Sequence, residues 1–175
     1  MWVYKKNSDN SARYVLGEIN QASKKPLVCI GVNPSTAEPD HLDNTLTSVR
    51  NHSRLNQFDS WIMFNLYPQR ATDPNKLHRA LDEKAHKKNL AHIKEILGTH
   101  SNVTVWAAWG GLIAKRPFLK KCLEGIVEVI KPHPVKWVCR GKLVADKHPH
   151  HPLYLKRDLP FQPFDIERYL EKIKE

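Results

Sequence analysis

Residues 27–37 read Leu-Val-Cys-Ile-Gly-Val-Asn-Pro-Ser-Thr-Ala, an apolar run followed at once by a polar turn. The apolar half predicts a buried strand. Gly31 lets the backbone bend or approach a ligand closely, and Pro34 makes the turn rigid. Asn33 is then presented at the carboxyl end of a strand, where open α/β sheets place their ligand crevice. The alternative is a plain strand-to-helix turn in which a hydroxyl of the same segment caps the helix.

Apolar runs of strand type alternate with stretches of helical periodicity along the rest of the chain. The pattern predicts strands at 13–16, 27–32, 61–64, 103–108, 126–130 and 136–139, and helices at 43–56, around 90–97 and after 165. This alternation predicts an α/β fold with three α/β/α layers and a central, mostly parallel sheet. Three strands end in turns rich in Gly, Asn and Pro, so parallel strands would gather these turns into one site. We expect a single domain over residues 1–175, with a flexible polar arm at 1–12.

The composition is that of a soluble globular protein, with 41% hydrophobic and 26% charged residues among 175. The apolar runs are too short for a membrane span, and the N-terminus lacks the apolar core of a signal peptide. We therefore expect a cytoplasmic protein that is not attached to a membrane. The three cysteines are odd in number and scattered, which argues against a disulfide framework or a four-cysteine metal site. The absence of glycine-rich phosphate motifs argues against a dinucleotide or nucleoside triphosphate enzyme.

The charge is strongly positive and unevenly distributed. The net charge is +10, and residues 115–157 hold eleven Lys or Arg against three acidic residues, a local excess of +8. Such clustering predicts a polyanionic partner, DNA first, and no obligate protein partner is predicted. The alternatives are a solvated basic face and an acidic protein partner.

Several histidines near the C-terminus resemble a metal site at first sight. They are His148, His150 and His151, with His133 upstream. The intervening prolines extend the chain, so neighbouring imidazoles diverge, and no metal-binding helix or Cys-x-x-Cys pair accompanies them. We therefore predict neither a metal nor another cofactor, although Asp40 or Asp43 could still join a histidine across the sheet edge.

Four segments resemble an uncharacterised family of small bacterial and phage proteins. They are Asn33 to Ala37, Asn65 to Tyr67 with Arg70 to Pro74, Ala108 to Gly110, and His151 to Tyr154. The hallmarks of this family are an Asn-Pro-Ser-Thr-Ala box, an Asn-Leu-Tyr/Phe segment leading to Arg-Ala-Thr-Asp-Pro, an Ala-Trp-Gly strand end and a His-Pro-Leu-Tyr box. The resemblance covers nearly the whole chain and implies little about activity.

The same segments are similar, more distantly, to the uracil-DNA glycosylase superfamily. Residues 31–34 resemble the Gly-Ile-Asn-Pro motif of the thymine and mismatch-specific glycosylases, which positions the attacking water. Residues 65–74 resemble the Thr-Asn-Val-Val…Arg-Pro run of the thermostable branch, whose Asn reads the flipped base. Residues 106–110 resemble the strand end Leu-Leu-Trp-Gly, and residues 151–152 fall where the superfamily has His-Pro-Ser. The resemblance implies a uracil-DNA-glycosylase-like fold and cleavage of an N-glycosidic bond.

The residue types suit that chemistry. Asn33 would hold the water and His151 would stabilise the departing base, the two predicted catalytic roles. Asn65 offers a donor and an acceptor to a base edge, and Leu153 with Tyr154 would fill the vacated stack. The predicted substrate-binding set is Gly31, Pro34, Ser35, Asn65, Tyr67, Arg70, Leu153 and Tyr154. Structural roles are the alternative for several: a turn cap for Asn65, loop support for Arg70 and core packing for Tyr154.

The predicted function is recognition and excision of an unusual or modified base in DNA, by hydrolysis of its N-glycosidic bond. Leu153 stands where the glycosylases have serine, and the cluster cysteines of the thermostable branch are missing, so uracil is not assumed as the substrate. Two alternatives stay open. One is a non-catalytic nucleic-acid-binding module of the same fold. The other is an enzyme acting on a free nucleotide or a small phosphorylated metabolite.

Overall fold

The computed structural model describes residues 1–145, 147–153 and 155–174 and has mixed α/β architecture. The strands are β1 (Trp2–Lys6), β2 (Arg13–Glu18), β3 (Pro26–Gly31), β4 (Ser60–Asn65), β5 (Val103–Ala107), β6 (Val135–Arg140) and β7 (Phe161–Pro163). The α-helices are α1 (Asn44–Leu55), α2 (Glu83–Leu97), α3 (Phe118–Ile130) and α4 (Ile166–Lys174). No helix of this described part is both long enough and apolar enough to cross a membrane.

All seven strands form one sheet in the order β1-β2-β4-β3-β5-β6-β7. The four central strands β4, β3, β5 and β6 are parallel, as the alternating pattern predicts, and the antiparallel strands lie towards the edges. Gly31 pairs with Asn65 and Ile30 with Ala107, so the carboxyl ends of three strands lie level. Strand β3 lies between β4 and β5. The chain runs from β3 to its neighbour β4 and then crosses to β5, on the opposite side of β3. Strand β3 is therefore a topological switch point, where α/β sheets form ligand crevices.

The helices cover both faces of the sheet. Leu46 and Val49 of α1 pack with Cys29 and Trp106 on one face. On the other face, strand residues such as Ile30 pack with the buried side chains of α2, α3 and α4. Cys29 and Ile30 are adjacent and face opposite layers, as the two-residue period of a strand requires. The predicted arrangement, a sheet between two layers of helices, is confirmed.

Two predictions about local structure are wrong. Residues 126–130 form the last turns of α3 instead of a strand. Their valines and isoleucines resemble a strand locally, but the buried positions of the segment recur at helical spacing: Leu119, Cys122, Leu123, Ile126, Val127 and Ile130. Residues 2–6 form edge strand β1, paired with β2, in place of a flexible arm. Hydrogen bonds fasten this strand, because Trp2 Nε1 donates to Asp40 at 3.1 Å and the Tyr4 hydroxyl donates to Glu38 at 3.2 Å.

One buried histidine makes the stability depend on pH. His52 is 2% exposed, and its ring meets Trp106 edge-on at 5.6 Å. Burial, with the positive charges of Arg140 and Arg157, lowers the pKa of His52 to about 4. The folded state thus binds fewer protons than the unfolded state between pH 6.5 and pH 4. The contribution of neutral His52 is complete above pH 6.5 and is lost as the pH falls towards 4, by about 3 kcal/mol.

Urea unfolding at pH 7 and pH 4.5 tests this expectation. The variant His52→Leu cannot titrate, so it should lose less stability over this interval than the wild type. Other buried histidines also titrate, and they leave the variant some residual dependence. Equal losses in the two proteins would contradict the assignment.

Candidate active site at the carboxyl ends of the central strands

A pocket of about 530 Å³ lies at the carboxyl ends of β3 and β4. Its wall contains six of the residues that the sequence predicts as site residues: Gly31, Asn33, Ser35, Asn65, His151 and Leu153. These residues come from three distant parts of the chain. The level ends of the parallel strands bring the first two parts together, and the segment that carries His151 closes the pocket.

Asn65 is the last residue of β4 and is 1% exposed. Neither its side-chain nitrogen nor its oxygen has a hydrogen-bond partner among the described residues. Gly31 makes this placement possible: a Cβ there would lie 2.7 Å from Met63 Cε and 3.1 Å from Asn65 Oδ1. A buried amide without partners is costly. This arrangement is typical of a group that hydrogen-bonds a ligand.

Asn33 has a structural task that the sequence does not reveal. Its side-chain nitrogen donates to the carbonyl oxygens of Ala71 at 2.8 Å and Pro34 at 3.0 Å. The amide thus ties the turn after β3 to the turn after β4. Its Oδ1 receives no hydrogen bond in the described part of the chain, so this oxygen is the atom left to hold a water molecule.

Arg70 supports the same turn from outside the pocket. Its Nη1 donates to the carbonyl oxygens of Ser35 and, at 3.2 Å, of Ala37. Its Nη2 donates to the Tyr4 hydroxyl at 2.8 Å. Arg13 donates to the same Ala37 oxygen at 3.1 Å. Two guanidinium groups therefore hold residues 35–37 in place through main-chain carbonyls. Arg70 stabilises this loop and does not line the pocket.

Tyr67 lies away from the pocket, within the core. Its hydroxyl is 2.7 Å from His78 Nδ1 and accepts a hydrogen bond from the Asp82 N–H at 3.2 Å. Its ring packs against Phe118 at 5.0 Å. Burial raises the pKa of Tyr67, so the phenol stays protonated at neutral pH.

The other predicted residues occupy different places. Pro34 is buried outside the pocket wall and accepts a hydrogen bond from the Ala71 N–H at 2.9 Å. Leu153 lines the pocket together with Leu112, which is 41% exposed. These two leucines are the apolar side chains available for the predicted wedge. Tyr154, the other predicted wedge residue, lies outside the described residues.

His151 presents a neutral imidazole to the pocket. Its Nδ1 accepts a hydrogen bond from the Leu153 N–H at 3.2 Å, so the ring proton belongs on Nε2. Burial lowers the pKa of His151, and the negative charge of Asp43 partly opposes that shift. At neutral pH the residue is therefore an uncharged donor through Nε2.

The segment that carries His151 is held by buried hydrogen bonds. Trp109 Nε1 donates to the Tyr169 hydroxyl at 2.9 Å, and that hydroxyl is 2.8 Å from His148 Nδ1. Burial raises the pKa of Tyr169 to about 12, so the hydroxyl is protonated and can donate to His148. The Gly110 N–H donates to the Pro149 carbonyl at 2.9 Å. Trp109 is thus a core residue that positions the segment carrying His151.

The histidines have separate partners. His148 bonds to Tyr169, whereas His151 bonds to the backbone of its own turn. Across the part of the chain that the structure describes, no three His, Cys, Asp or Glu side chains are grouped to hold a metal ion.

Sequence reasoning missed Arg13 and gave Asp43 only a passing role. Both line the pocket, and Asp43 is the only carboxylate among its described lining residues. Asp43 caps α1 by accepting the Leu46 N–H at 2.9 Å, and it acts on the pKa of His151. The signal for Arg13 was a charged residue at the start of an apolar strand, since a cation there is rarely buried without a reason.

Some arginines of the basic segment 115–157 stabilise the fold by donating hydrogen bonds to main-chain carbonyls. Arg140 is fully buried and donates to the carbonyl oxygen of Arg157 at 3.1 Å. Arg116 donates to the carbonyl oxygens of Asn75 at 2.9 Å and His78 at 3.0 Å. The exposed basic residues of this segment include Lys115, Lys142, Lys147, Lys156 and Arg157.

Comparison with known proteins identifies the family. A model of a family described as a protein of unknown function, DUF1643, matches residues 13–153. No curated protein and no solved structure matches the chain significantly. The match includes every described residue of the pocket wall, from Arg13 to Leu153. The chain belongs to the DUF1643 family, and membership of a family of unknown function is the part of the predicted resemblance that this match supports.

Proposed function

We propose that this protein is a DNA glycosylase of uracil-DNA-glycosylase-like fold, which binds an extruded base in the 530 Å³ pocket and hydrolyses its N-glycosidic bond. The observation that carries the proposal is the amide of Asn65, which is buried in the pocket wall and whose two polar atoms have no partner among the described residues. A free donor beside a free acceptor matches the edge of a nucleobase, where carbonyl and N–H groups are adjacent.

The neighbouring residues supply the groups that hydrolysis needs. Asn33 Oδ1 holds the water, and Asp43 is the carboxylate that can take its proton. The water oxygen bonds to the anomeric carbon as the carbon–nitrogen bond breaks, and that bonding pair leaves with the base. His151 donates through Nε2 to the departing base anion, which then takes a proton from solvent. The products are the free base and an abasic sugar.

Oligonucleotides test the proposal directly. Substrates carrying uracil, thymine mismatches, or deaminated or hypermodified bases are incubated with the protein, and abasic sites are scored. We expect one class to be cut, and His151→Ala to cut it about a hundredfold more slowly because the departing base loses a donor. Asn33→Ala and Asn65→Ala should also be slower. His150→Ala is the matched control, since this neighbouring histidine does not line the pocket.

Two results would contradict the proposal. One is a protein that cuts none of these substrates, which would favour the non-catalytic binding module or the enzyme of free nucleotides. The other is excision at wild-type rate by both Asn33→Ala and His151→Ala. Thermal unfolding of each variant separates loss of chemistry from loss of fold.

A further inference from the structure

Arg13 is a buried cation in the pocket wall. It is 1% exposed, and its Nη1 donates to the Ala37 carbonyl at 3.1 Å. Its Nε is buried and has no acceptor among the described residues. No described carboxylate lies within 4.0 Å of its guanidinium nitrogens. Because a buried charge is unfavourable without a counter-charge, this position points to a negatively charged ligand.

The first turn of α1 lies in the same wall. Residues 43–46 line the pocket at the start of this 12-residue helix. Leu46 donates its N–H to the Asp43 carboxylate at 2.9 Å. The N–H groups of Asn44 and Thr45 have no acceptor in the described part of the chain. Free N–H groups at a helix start attract anions, phosphate above all.

We propose that the pocket binds a phosphate group of its ligand between Arg13 and the first turn of α1. The inference rests on the proposed function for one point, that the same pocket also holds a base at Asn65. A base edge and a phosphate in one pocket define a nucleotide, either free or as part of a DNA strand.

The charges around this subsite are compatible with an anion. Burial, together with the positive charge of Arg70, lowers the pKa of Arg13 to about 10, although Asp43 and Tyr4 partly oppose this shift, so Arg13 stays charged at neutral pH. Arg70 itself lies 3.8 Å from Glu38. Asp43 is the opposing charge in the wall, and one of its oxygens already accepts the helix N–H. His151 is neutral at that pH, because burial lowers its pKa.

The helix allows a substitution that removes one donor and keeps the fold. Asn44 is the first residue of α1, where proline is well tolerated because the N–H has no helical partner. The preceding residue, Asp43, has φ −72° and ψ 175°, an extended conformation that suits a residue before proline. Glu83→Pro is the matched control, because Glu83 begins α2 after Asp82, which is also in the extended region with φ −80° and ψ 100°. Arg13→Gln removes the buried charge.

Calorimetric titration measures the contribution of the phosphate. The probes are the deoxynucleoside 5′-monophosphates of uracil and the four DNA bases, each compared with its nucleoside, and five-nucleotide single strands. For the wild type, the best monophosphate should bind about tenfold or more tightly than its nucleoside. Asn44→Pro and Arg13→Gln should each reduce that advantage several-fold, and Glu83→Pro should leave it unchanged.

The proposal is overturned if wild type shows no advantage for any monophosphate or strand over the nucleosides, or if Asn44→Pro and a folded Arg13→Gln both retain it. If circular dichroism shows that Arg13→Gln does not fold, Asn44→Pro alone decides. Tighter binding of the strands places the phosphate in DNA, whereas tighter binding of a monophosphate places it in a free nucleotide. Phosphate-dependent binding without base excision would support this subsite and contradict the glycosylase reaction.

Discussion

Trp109→Ala is expected to lower the free energy of unfolding by about 3–5 kcal/mol, as for other fully buried tryptophans replaced by alanine. Trp109 has no exposed surface, and its ring packs against Phe164 and Tyr169 at centroid distances of 6.0 and 5.5 Å. The substitution leaves a large cavity and removes the hydrogen bond to the Tyr169 hydroxyl. Urea unfolding monitored by far-ultraviolet circular dichroism measures the loss.

Two further variants serve as comparisons for the stability loss of Trp109→Ala. Trp109→Phe keeps an aromatic ring but removes the N–H donor and part of the ring volume, so it should cost about 1–3 kcal/mol. Trp2→Ala removes a half-buried tryptophan from edge strand β1 and should cost less than Trp109→Ala. If Trp109→Ala were as stable as the wild type, the core around Tyr169 would not have the packing described.

Asp43→Asn is expected to slow base excision by about a hundredfold or more, the usual contribution of a general base. Asparagine caps a helix as well as aspartate does, so α1 should keep its start and the stability should change little. The substitution removes the only carboxylate among the described residues of the pocket wall. Single-turnover excision of the oligonucleotide that wild type cuts best is the measurement.

Asp82→Asn is the control for this substitution. Asp82 caps α2 in the same way, by accepting the Ala85 N–H at 3.0 Å, and does not line this pocket. Its variant should cut at the wild-type rate. Binding of a nucleoside monophosphate should be unchanged or tighter in Asp43→Asn, because a negative charge near the phosphate is lost. Unimpaired excision by Asp43→Asn would exclude Asp43 as the base.

The turn after β3 shows which features of the structure can be predicted from the sequence. Its apolar run, glycine and proline predict a strand that ends in a rigid turn, and β3 does so at Gly31, one residue before the predicted end at Val32. The pattern also predicts a related turn after the strand at 61–64, and Asn65 lies in the pocket beside Gly31. These predictions succeed because burial and turn chemistry are local properties, visible in consecutive residues.

Residues 126–130 show where such reasoning fails. A run of valine and isoleucine favours a strand by local preference, yet packing of α3 against the sheet makes it helical. Burial of an apolar helix face outweighs the small difference in intrinsic preference. The expectation of a flexible arm at residues 2–6 fails because this short segment, Trp-Val-Tyr-Lys-Lys, becomes a strand by pairing with the edge of β2.

The sequence by itself determined the α/β class, the strands that end in polar turns, and four of the polar residues that line the pocket, namely Asn33, Ser35, Asn65 and His151. Only the tertiary structure decided their roles. It assigned the nitrogen of Asn33 and the guanidinium of Arg70 to main-chain carbonyls, left the amide of Asn65 without a partner among the described residues, and added Arg13 and Asp43 to the wall. The physical reason is that composition and periodicity record which residues are buried. Hydrogen-bond partners come from distant segments, and strand order and register bring those segments together.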